Sequence, residues 1–261
     1  MHANFDTVPA PGAPPLTLLG LEPLRAVLEY ARMRMAKPSD LPRGDGHTVI
    51  VFPGLASDKH ATAPLTSFCE NLGYETYDWG RGFNTGPRGE PNAWLDELAD
   101  HVIEIAGSSD ADLSLVGWSL GGIYAREVAK RLKANVRQVI TIGTPFAGGN
   151  DDTHAGIVYR LLSGQKPALD AEMRRQLIAP PPVPTTSIFS RTDGVVAWQA
   201  CIQPGARQDT ENVEVQGSHC GLGWNAMVLE VVADRLSQPR GKWKPYSAKR
   251  AAQRADLQSQ A

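Results

Sequence analysis

The strongest constraint on the fold is a regular alternation of short β-branched runs with stretches of helical apolar spacing, which fills most of residues 48–236. Such alternation is typical of a parallel sheet with helices on both faces. The predicted strands are residues 48–52, 75–79, 113–117, 136–142, 186–190 and 213–216. The predicted helices are residues 18–35, 63–72, 93–106, 120–132 and 224–236. The sequence therefore predicts an α/β fold with a mostly parallel central sheet.

The alternation breaks once, at residues 146–184, where a Gly-rich stretch, short amphipathic helices and a Pro-rich exit separate two core strands. An insertion of this length is more often functional than accidental, so we predict a cap over the carboxyl edge of the sheet. Residues 1–15 are rich in Pro and Ala and are predicted to be a flexible arm. Residues 238–261 are predicted to be a basic, flexible tail. The domain between them spans residues 16–237.

The charge balance bears on which ligands the protein can bind, and the cysteines bear on where in the cell it is found. With 26 basic and 28 acidic side chains the net charge is -2, which gives no electrostatic case for nucleic acid and favours a neutral substrate. No stretch approaches the roughly twenty apolar residues that span a bilayer, and no signal-peptide pattern opens the chain. Cys69, Cys201 and Cys220 are an odd number without metal-binding spacing. We expect a cytoplasmic protein with reduced thiols and without metal or cofactor, and nothing indicates its oligomeric state.

Residues 113–123 read LSLVGWSLGGI, a buried strand followed by G-x-S-x-G and a helical pattern. In this context the motif predicts a sharp strand-to-helix turn with Ser119 as an exposed nucleophile in a strained backbone conformation. Gly117 and Gly121 would remove the clashes that side chains two positions away would cause. The alternative is a Gly-Ser turn that begins an ordinary helix, but the flanking strand and helix favour the functional interpretation.

A nucleophilic serine needs two donors for the developing oxyanion. The N–H of Leu120, directly after the nucleophile, is one candidate. The second is expected from the loop after the first strand, where Gly54 lets the backbone turn close to the site and Leu55 N–H is the candidate donor. Ala56 is the alternative by one residue, and Pro53-Gly54 could also be a simple turn signal.

Substrate contacts are predicted on two sides of the nucleophile. Trp118 precedes the nucleophile in sequence, and Gly54 lies in the loop predicted to pass beside it. On the other side, Leu161 and Leu162 of the insertion would line an acyl pocket. Equally, these leucines could pack the cap onto the core. Asn84, in the loop after the second strand, is expected to hold its loop together rather than to contact substrate.

Only one of the six histidines follows the last predicted strand, where the chain order Ser, acid, His requires the general base. This is His219, in the loop Gly-Ser-His-Cys-Gly of residues 217–221. The others are His2, His47, His60, His101 and His154. We therefore predict that His219 takes the proton of Ser119.

Asp193 lies three residues beyond the strand at 186–190, with Gly194 easing the turn, and is the predicted acid that orients the histidine. Asp-Gly is also a common turn pair, which is the alternative explanation. The rival carboxylates, none of which directly follows a core strand, are Asp151, Asp152, Asp170 and Asp209.

With these residues identified, the chain resembles lipases and esterases of the α/β-hydrolase superfamily over about residues 48–236, chiefly in GWSLGG (117–122), DGVV (193–196) and GSH (217–219). The resemblance implies an α/β-hydrolase fold and two-step acyl transfer on a small-molecule or acyl-chain ester. The His-Gly-Gly-Gly oxyanion motif of some esterases is absent, and Phe-Pro-Gly-Leu stands in its place. An acyl thioesterase on the same triad, or a binding protein that has lost turnover, are the alternatives.

Overall fold

The computed structural model describes residues 12–35, 41–107, 112–148, 171–205 and 207–246. Six of its segments form one parallel sheet: β1 Thr48–Phe52, β2 Glu75–Asp78, β3 Leu113–Trp118, β4 Val136–Ile142, β5 Thr185–Phe189 and β6 Thr210–Glu214. The described α-helices are α1 Leu16–Met35, α2 Lys59–Leu72, α3 Pro91–Ala106, α4 Leu120–Leu132, α5 Ala171–Ile178 and α6 Ala226–Leu236. The predicted α/β class is confirmed.

The strand order is β2-β1-β3-β4-β5-β6, and every neighbouring pair is parallel. The chain runs outward from β1 to β2 and then returns past β1 to β3, so the direction of winding reverses between β1 and β3. In open α/β sheets, ligands bind outside the carboxyl ends of the strands at such a reversal. The topology therefore directs attention to the loops after β1 and β3.

Successive residues of β1 pack on opposite faces of the sheet. Val49 and Val51 belong to a cluster with apolar residues of α2 and α6, whereas Ile50 and Phe52 pack with residues of α3 and α4. All four are fully buried. Burial on both faces is the reason that central parallel strands read as continuous apolar runs.

Two elements, α2 and β6, depart from their predicted bounds by more than two residues, each for an identifiable reason. Helix α2 begins at Lys59, four residues early, because the Asp58 carboxylate caps it by accepting the His60 N–H at 2.9 Å. Strand β6 covers Thr210–Glu214 rather than 213–216. Its first residues are polar and only partly buried at the edge of the sheet, so they lack the apolar signal that marks a core strand.

Helix α1 turns Glu22, Arg25 and Glu29 rather than most of its leucines toward the protein body. Glu22 and Ala26 are buried, while Leu24 and Val27 are 59% and 65% exposed. The apolar periodicity that predicts this helix would ordinarily mark the face toward the core, and here it marks the face toward solvent. Among the described residues, no helix is long and apolar enough to cross a bilayer.

The first part of the predicted C-terminal tail packs on the domain rather than extending freely. Arg240 donates to the Asp112 carboxylate at 2.7 Å, and the Tyr246 N–H donates to Glu211 at 2.6 Å. The Tyr246 ring also packs against the core.

The predicted cap at 146–184 falls only partly on described residues, because 149–170, with Leu161 and Leu162, lie outside them. Its exit helix α5 packs on α4. Arg126 of α4 is buried and donates to the carbonyls of Leu177, Ile178 and Ala179 at 3.2 to 3.3 Å. The cap over the site stays a prediction.

Candidate active site

Ser119 occupies the sharp turn between β3 and α4 with φ of +54°. An L-residue adopts this conformation only under strain. The turn is tight enough that a Cβ on Gly117 would lie 2.4 Å from the Gly121 carbonyl oxygen, and a Cβ on Gly121 would lie 2.3 Å from that of Phe52. The predicted elbow geometry and the need for both glycines are therefore present in the structure.

The structure brings the three predicted catalytic side chains into one hydrogen-bonded chain. His219 Nε2 lies 3.0 Å from Ser119 Oγ, and its Nδ1 lies 2.7 Å from Asp193 Oδ2. The residues are 6%, 8% and 3% exposed respectively, so the arrangement is shielded from bulk water except at its outer surface. This is the geometry in which an imidazole can accept a proton from a serine hydroxyl.

The second carboxylate oxygen of Asp193 is also engaged, which fixes its rotation. Oδ1 accepts the N–H groups of Val195 and Val196 at 2.8 and 2.7 Å, so Oδ2 is left facing His219. An ionised carboxylate only accepts, so Nδ1 of His219 carries the hydrogen and Nε2 is free to accept from Ser119. The rival Asp209 pairs with Arg207 instead, and Asp151, Asp152 and Asp170 lie outside the described residues.

The surroundings of His219 favour its protonated form. Burial alone would lower the pKa of this imidazole, but the charge and hydrogen bond of Asp193, together with the charge of Glu22, outweigh burial and raise the pKa above its ordinary 6.5. His219 is consequently a stronger base than a free histidine.

The loop after β1 passes directly beside the nucleophile, because a Cβ on Gly54 would lie 3.2 Å from Ser119 Cβ. Of the two candidate donors there, Ala56 N–H is occupied by the Asn84 carbonyl at 2.8 Å, whereas Leu55 N–H has no acceptor among the described residues. Leu120 is the first residue of α4, so its N–H has no intrahelical acceptor either. Leu120 directly follows Ser119 in the chain and Leu55 directly follows Gly54, so both N–H groups stay candidates for the oxyanion site.

Asn84 braces that loop from within. It is fully buried, its Nδ2 donates to the Pro53 carbonyl at 2.9 Å, and its Oδ1 accepts the Gly86 N–H at 3.0 Å. Its own N–H donates to Ser57 O at 2.8 Å. The expected structural role of Asn84 thus agrees with its contacts.

Trp118, whose predicted contact with substrate stays a prediction, also packs against the loop of His219. The residue is 8% exposed, and the indole Nε1–H donates to the His219 carbonyl at 3.2 Å. The ring also packs near Trp224, with centroids 6.3 Å apart. Trp118 therefore supports the loop that carries His219.

Sequence reasoning missed the groups that hold the acid and base loops, namely the carboxylates of Glu22 and Glu29 on α1. Glu22 accepts the N–H of His219 itself at 3.0 Å, and Glu29 accepts that of Ser218 at 2.8 Å. The available signal was the pair of carboxylates, which are the only acidic residues of α1 and lie seven residues apart, a spacing that puts both on one face.

The parallel sheet, its switch point and the elbow after β3 define the α/β-hydrolase fold. The chain belongs to the alpha/beta hydrolase family, whose profile matches residues 49–258. A search of curated proteins gives no significant match to the sequence.

Solved structures with the same fold include lipase B of Aspergillus fumigatus, at 17% identity and a TM-score of 0.53 over 80% of this chain. This chain covers 57% of that lipase. The pyrethroid hydrolase PytH is 18% identical, with a TM-score of 0.52 over 75% of this chain and 99% of its own. A thioesterase domain from the curacin biosynthetic pathway is 15% identical, with a TM-score of 0.51 over 76% and 93%. At these identities the likeness establishes the fold.

Proposed function

We propose that the protein is a serine hydrolase that cleaves carboxylic esters through an acyl-enzyme on Ser119, with His219 as general base and Asp193 as its orienting acid. The observation that carries the proposal is the continuous hydrogen-bonded chain from Ser119 Oγ through both nitrogens of His219 to Asp193. This chain stands at the N-terminus of α4, where the helix dipole favours a developing negative charge.

In the first step Ser119 Oγ attacks the ester carbonyl carbon while its proton passes to His219 Nε2. The N–H groups of Leu55 and Leu120 stabilise the negative oxygen of the tetrahedral intermediate. The carbon–oxygen bond to the leaving group then breaks, and the departing alkoxide takes the proton from His219. Water repeats the sequence on the acyl-enzyme and releases the carboxylic acid and free Ser119.

The same triad can hydrolyse esters and thioesters, so the substrate class is argued from the charge of the protein. We propose a neutral small-molecule or acyl-chain ester, since the net charge of -2 provides no strong field for a charged ligand. Gly54 would line the pocket beside Ser119, and Leu161 and Leu162 would contact the acyl chain. We also propose a cytoplasmic location, which the three free thiols Cys69, Cys201 and Cys220 support.

The test compares wild-type protein with Ser119→Ala for labelling by a fluorophosphonate probe and for turnover of p-nitrophenyl esters of increasing chain length. We expect the variant to lose labelling and at least about 1000-fold in kcat, with an unchanged circular dichroism spectrum. Acyl-CoA assays run in parallel would identify a thioesterase. A Ser119→Ala protein with near wild-type turnover would contradict the proposal, and a wild type inactive on every ester and thioester would favour a binding role.

A further inference from the structure

One carboxylate on α1 ties the loop of the acid to the loop of the base. Glu22 is 2% exposed, and its Oε1 accepts the N–H of Gly194 at 2.8 Å and that of His219 at 3.0 Å. Its Oε2 accepts the N–H of Cys220 at 2.8 Å. Since Gly194 directly follows Asp193, the same side chain holds the backbone beside the acid and the backbone of the base.

A second carboxylate extends the contact along the base loop. Glu29 Oε1 accepts the Ser218 N–H at 2.8 Å. Three consecutive backbone N–H groups, those of Ser218, His219 and Cys220, therefore donate to the two acidic side chains of α1. Consecutive N–H groups directed at one place form a concave site suited to an anion, and here the anions are supplied by the chain itself.

The loops are shaped to receive the helix at close range. A Cβ on Gly194 would lie 2.5 Å from the backbone carbonyl carbon of Leu18, and a Cβ on Gly221 would lie 2.2 Å from Glu29 Oε2. A side chain at position 194 would meet the backbone of α1 and push the helix away, whereas one at position 221 would displace the Glu29 carboxylate. The two glycines therefore allow the close approach of α1 and of Glu29.

Arg25 completes the attachment to the acid loop. Its guanidinium donates to the carbonyl of Thr192 at 2.6 Å and to the Thr192 hydroxyl at 3.0 Å. It also lies 3.8 Å from Glu22, but its side chain is 23% exposed and so only partly offsets the buried negative charge. Among the described residues, the ionisable groups that these contacts place round the His219 loop are Asp193, Glu22, Arg25, Glu29 and the thiol of Cys220.

We infer that Glu22 is a positioning residue for the proposed ester hydrolysis, on which this inference rests: it fixes the acid loop against the base loop and so sets the alignment of Asp193, His219 and Ser119. Helix α1, which precedes the part of the chain matched by the family profile, is then a working part of the site. The negative charge of Glu22 acts together with that of Asp193 in raising the pKa of His219.

The test is Glu22→Gln, which keeps the size of the side chain, removes its charge and turns an NH₂ group toward at least one of the three N–H donors. We expect kcat to fall at least tenfold with KM changed less than threefold, because alignment is lost and binding is not. The acid limb of the kcat/KM profile should move to lower pH, since the charge that raises the pKa of His219 is gone.

The matched control is Glu211→Gln. The Glu211 carboxylate is 9% exposed and also accepts a backbone N–H, that of Tyr246 at 2.6 Å, but it pairs with Arg235 on β6 and α6 rather than with the catalytic loops. This variant should lose stability at most and keep the wild-type pH profile. Wild-type kcat and pH profile in Glu22→Gln, or the same pH shift in Glu211→Gln, would overturn the inference.

Two further measurements separate this inference from the proposed function. NMR titration of His219 reports its pKa without any substrate, and the pKa should be lower in Glu22→Gln than in wild type even if no ester is hydrolysed. If wild type hydrolyses esters and this pKa does not move, the positioning role fails alone. Should Glu22→Gln not fold, Glu22→Asp decides, because the shorter side chain keeps the charge but withdraws the carboxylate from the N–H groups of Gly194, His219 and Cys220. A lower kcat at constant KM supports the positioning role, whereas wild-type kcat refutes it.

Discussion

His47 Nε2 lies 2.8 Å from Ser114 Oγ, and Nδ1 of the same ring is hydrogen-bonded to Asp45, so the chain contains a second Ser-His-Asp arrangement at the amino end of the sheet. Ser114 is fully buried in extended strand backbone near the start of β3. It lies neither in a strand-to-helix turn nor at a helix N-terminus, whereas Ser119 lies at both. We therefore do not expect Ser114 to act as a nucleophile.

Ser114→Ala should accordingly keep kcat/KM within about twofold of wild type and keep fluorophosphonate labelling. Its cost should fall on stability, by about 1 to 3 kcal/mol, because His47 and Gln138 lose a buried hydrogen-bond partner. Urea unfolding and ester assays on one preparation measure both. Loss of labelling in this variant would mean that Ser114, not Ser119, reacts.

Asp193→Asn should lower kcat by about 100- to 10,000-fold at neutral pH. The N–H groups of Val195 and Val196 require an acceptor at the Oδ1 position, so the amide oxygen will stay there and the NH₂ group will face His219 Nδ1. An NH₂ donor in that place favours the imidazole tautomer with the hydrogen on Nε2, which cannot accept the proton of Ser119. The substitution also removes the negative charge of Asp193 that stabilises the protonated imidazole.

The control for that substitution is Asp209→Asn, which alters a surface carboxylate paired with Arg207. It should leave kcat nearly unchanged. An Asp193→Asn enzyme within a fewfold of wild type would transfer the orienting role to another carboxylate.

The features that could be predicted from the sequence are those that depend on neighbouring residues in the chain. The elbow, the strand before it and the loop positions of Asp193 and His219 follow from turn requirements and chain order, and the structure brings those three side chains together. The seven-residue spacing places Glu22 and Glu29 on one face of α1, but it could not identify what they bind, because the partners of Glu22 include backbone N–H groups nearly 200 residues away. For the same reason the apolar period of α1 identified a helix without revealing that its carboxylates face inward.

The stability of the protein should depend on pH through His47. Burial lowers the pKa of His47 below 6.5, with help from the charge of Arg137 and against the opposing effects of Asp45 and Asp112. The unfolded chain therefore binds this proton at a higher pH than the folded chain, and folding stability falls as pH drops below about 6.5.

His47→Gln removes the titration of His47. His219 titrates in both wild type and variant, so its contribution cancels when their free energies of unfolding are subtracted. We expect the free energy of unfolding of wild type minus that of His47→Gln to shrink between pH 8 and pH 5, with a slope of at most about 1.4 kcal/mol per pH unit. Chemical denaturation across this range provides the measurement. A difference that is constant or grows on acidification would contradict the lowered pKa.

Gly121→Ala tests whether the loop after β1 must lie against the elbow for catalysis. The new Cβ would lie 2.3 Å from the Phe52 carbonyl oxygen and 2.6 Å from that of Pro53, both backbone atoms that cannot rotate away. The backbone leading to Leu55 N–H must therefore shift, and we expect stability to fall by about 1 to 3 kcal/mol and kcat by about 100-fold through the displaced oxyanion donor. Gly20→Ala is the matched control, because a Cβ there meets nothing within 4 Å on the exposed side of α1. It should raise stability by up to about 1 kcal/mol through helix propensity and leave kcat unchanged. A Gly121→Ala enzyme that folds with wild-type stability and turnover would show that the loop yields freely, and would remove Leu55 from the proposed oxyanion site.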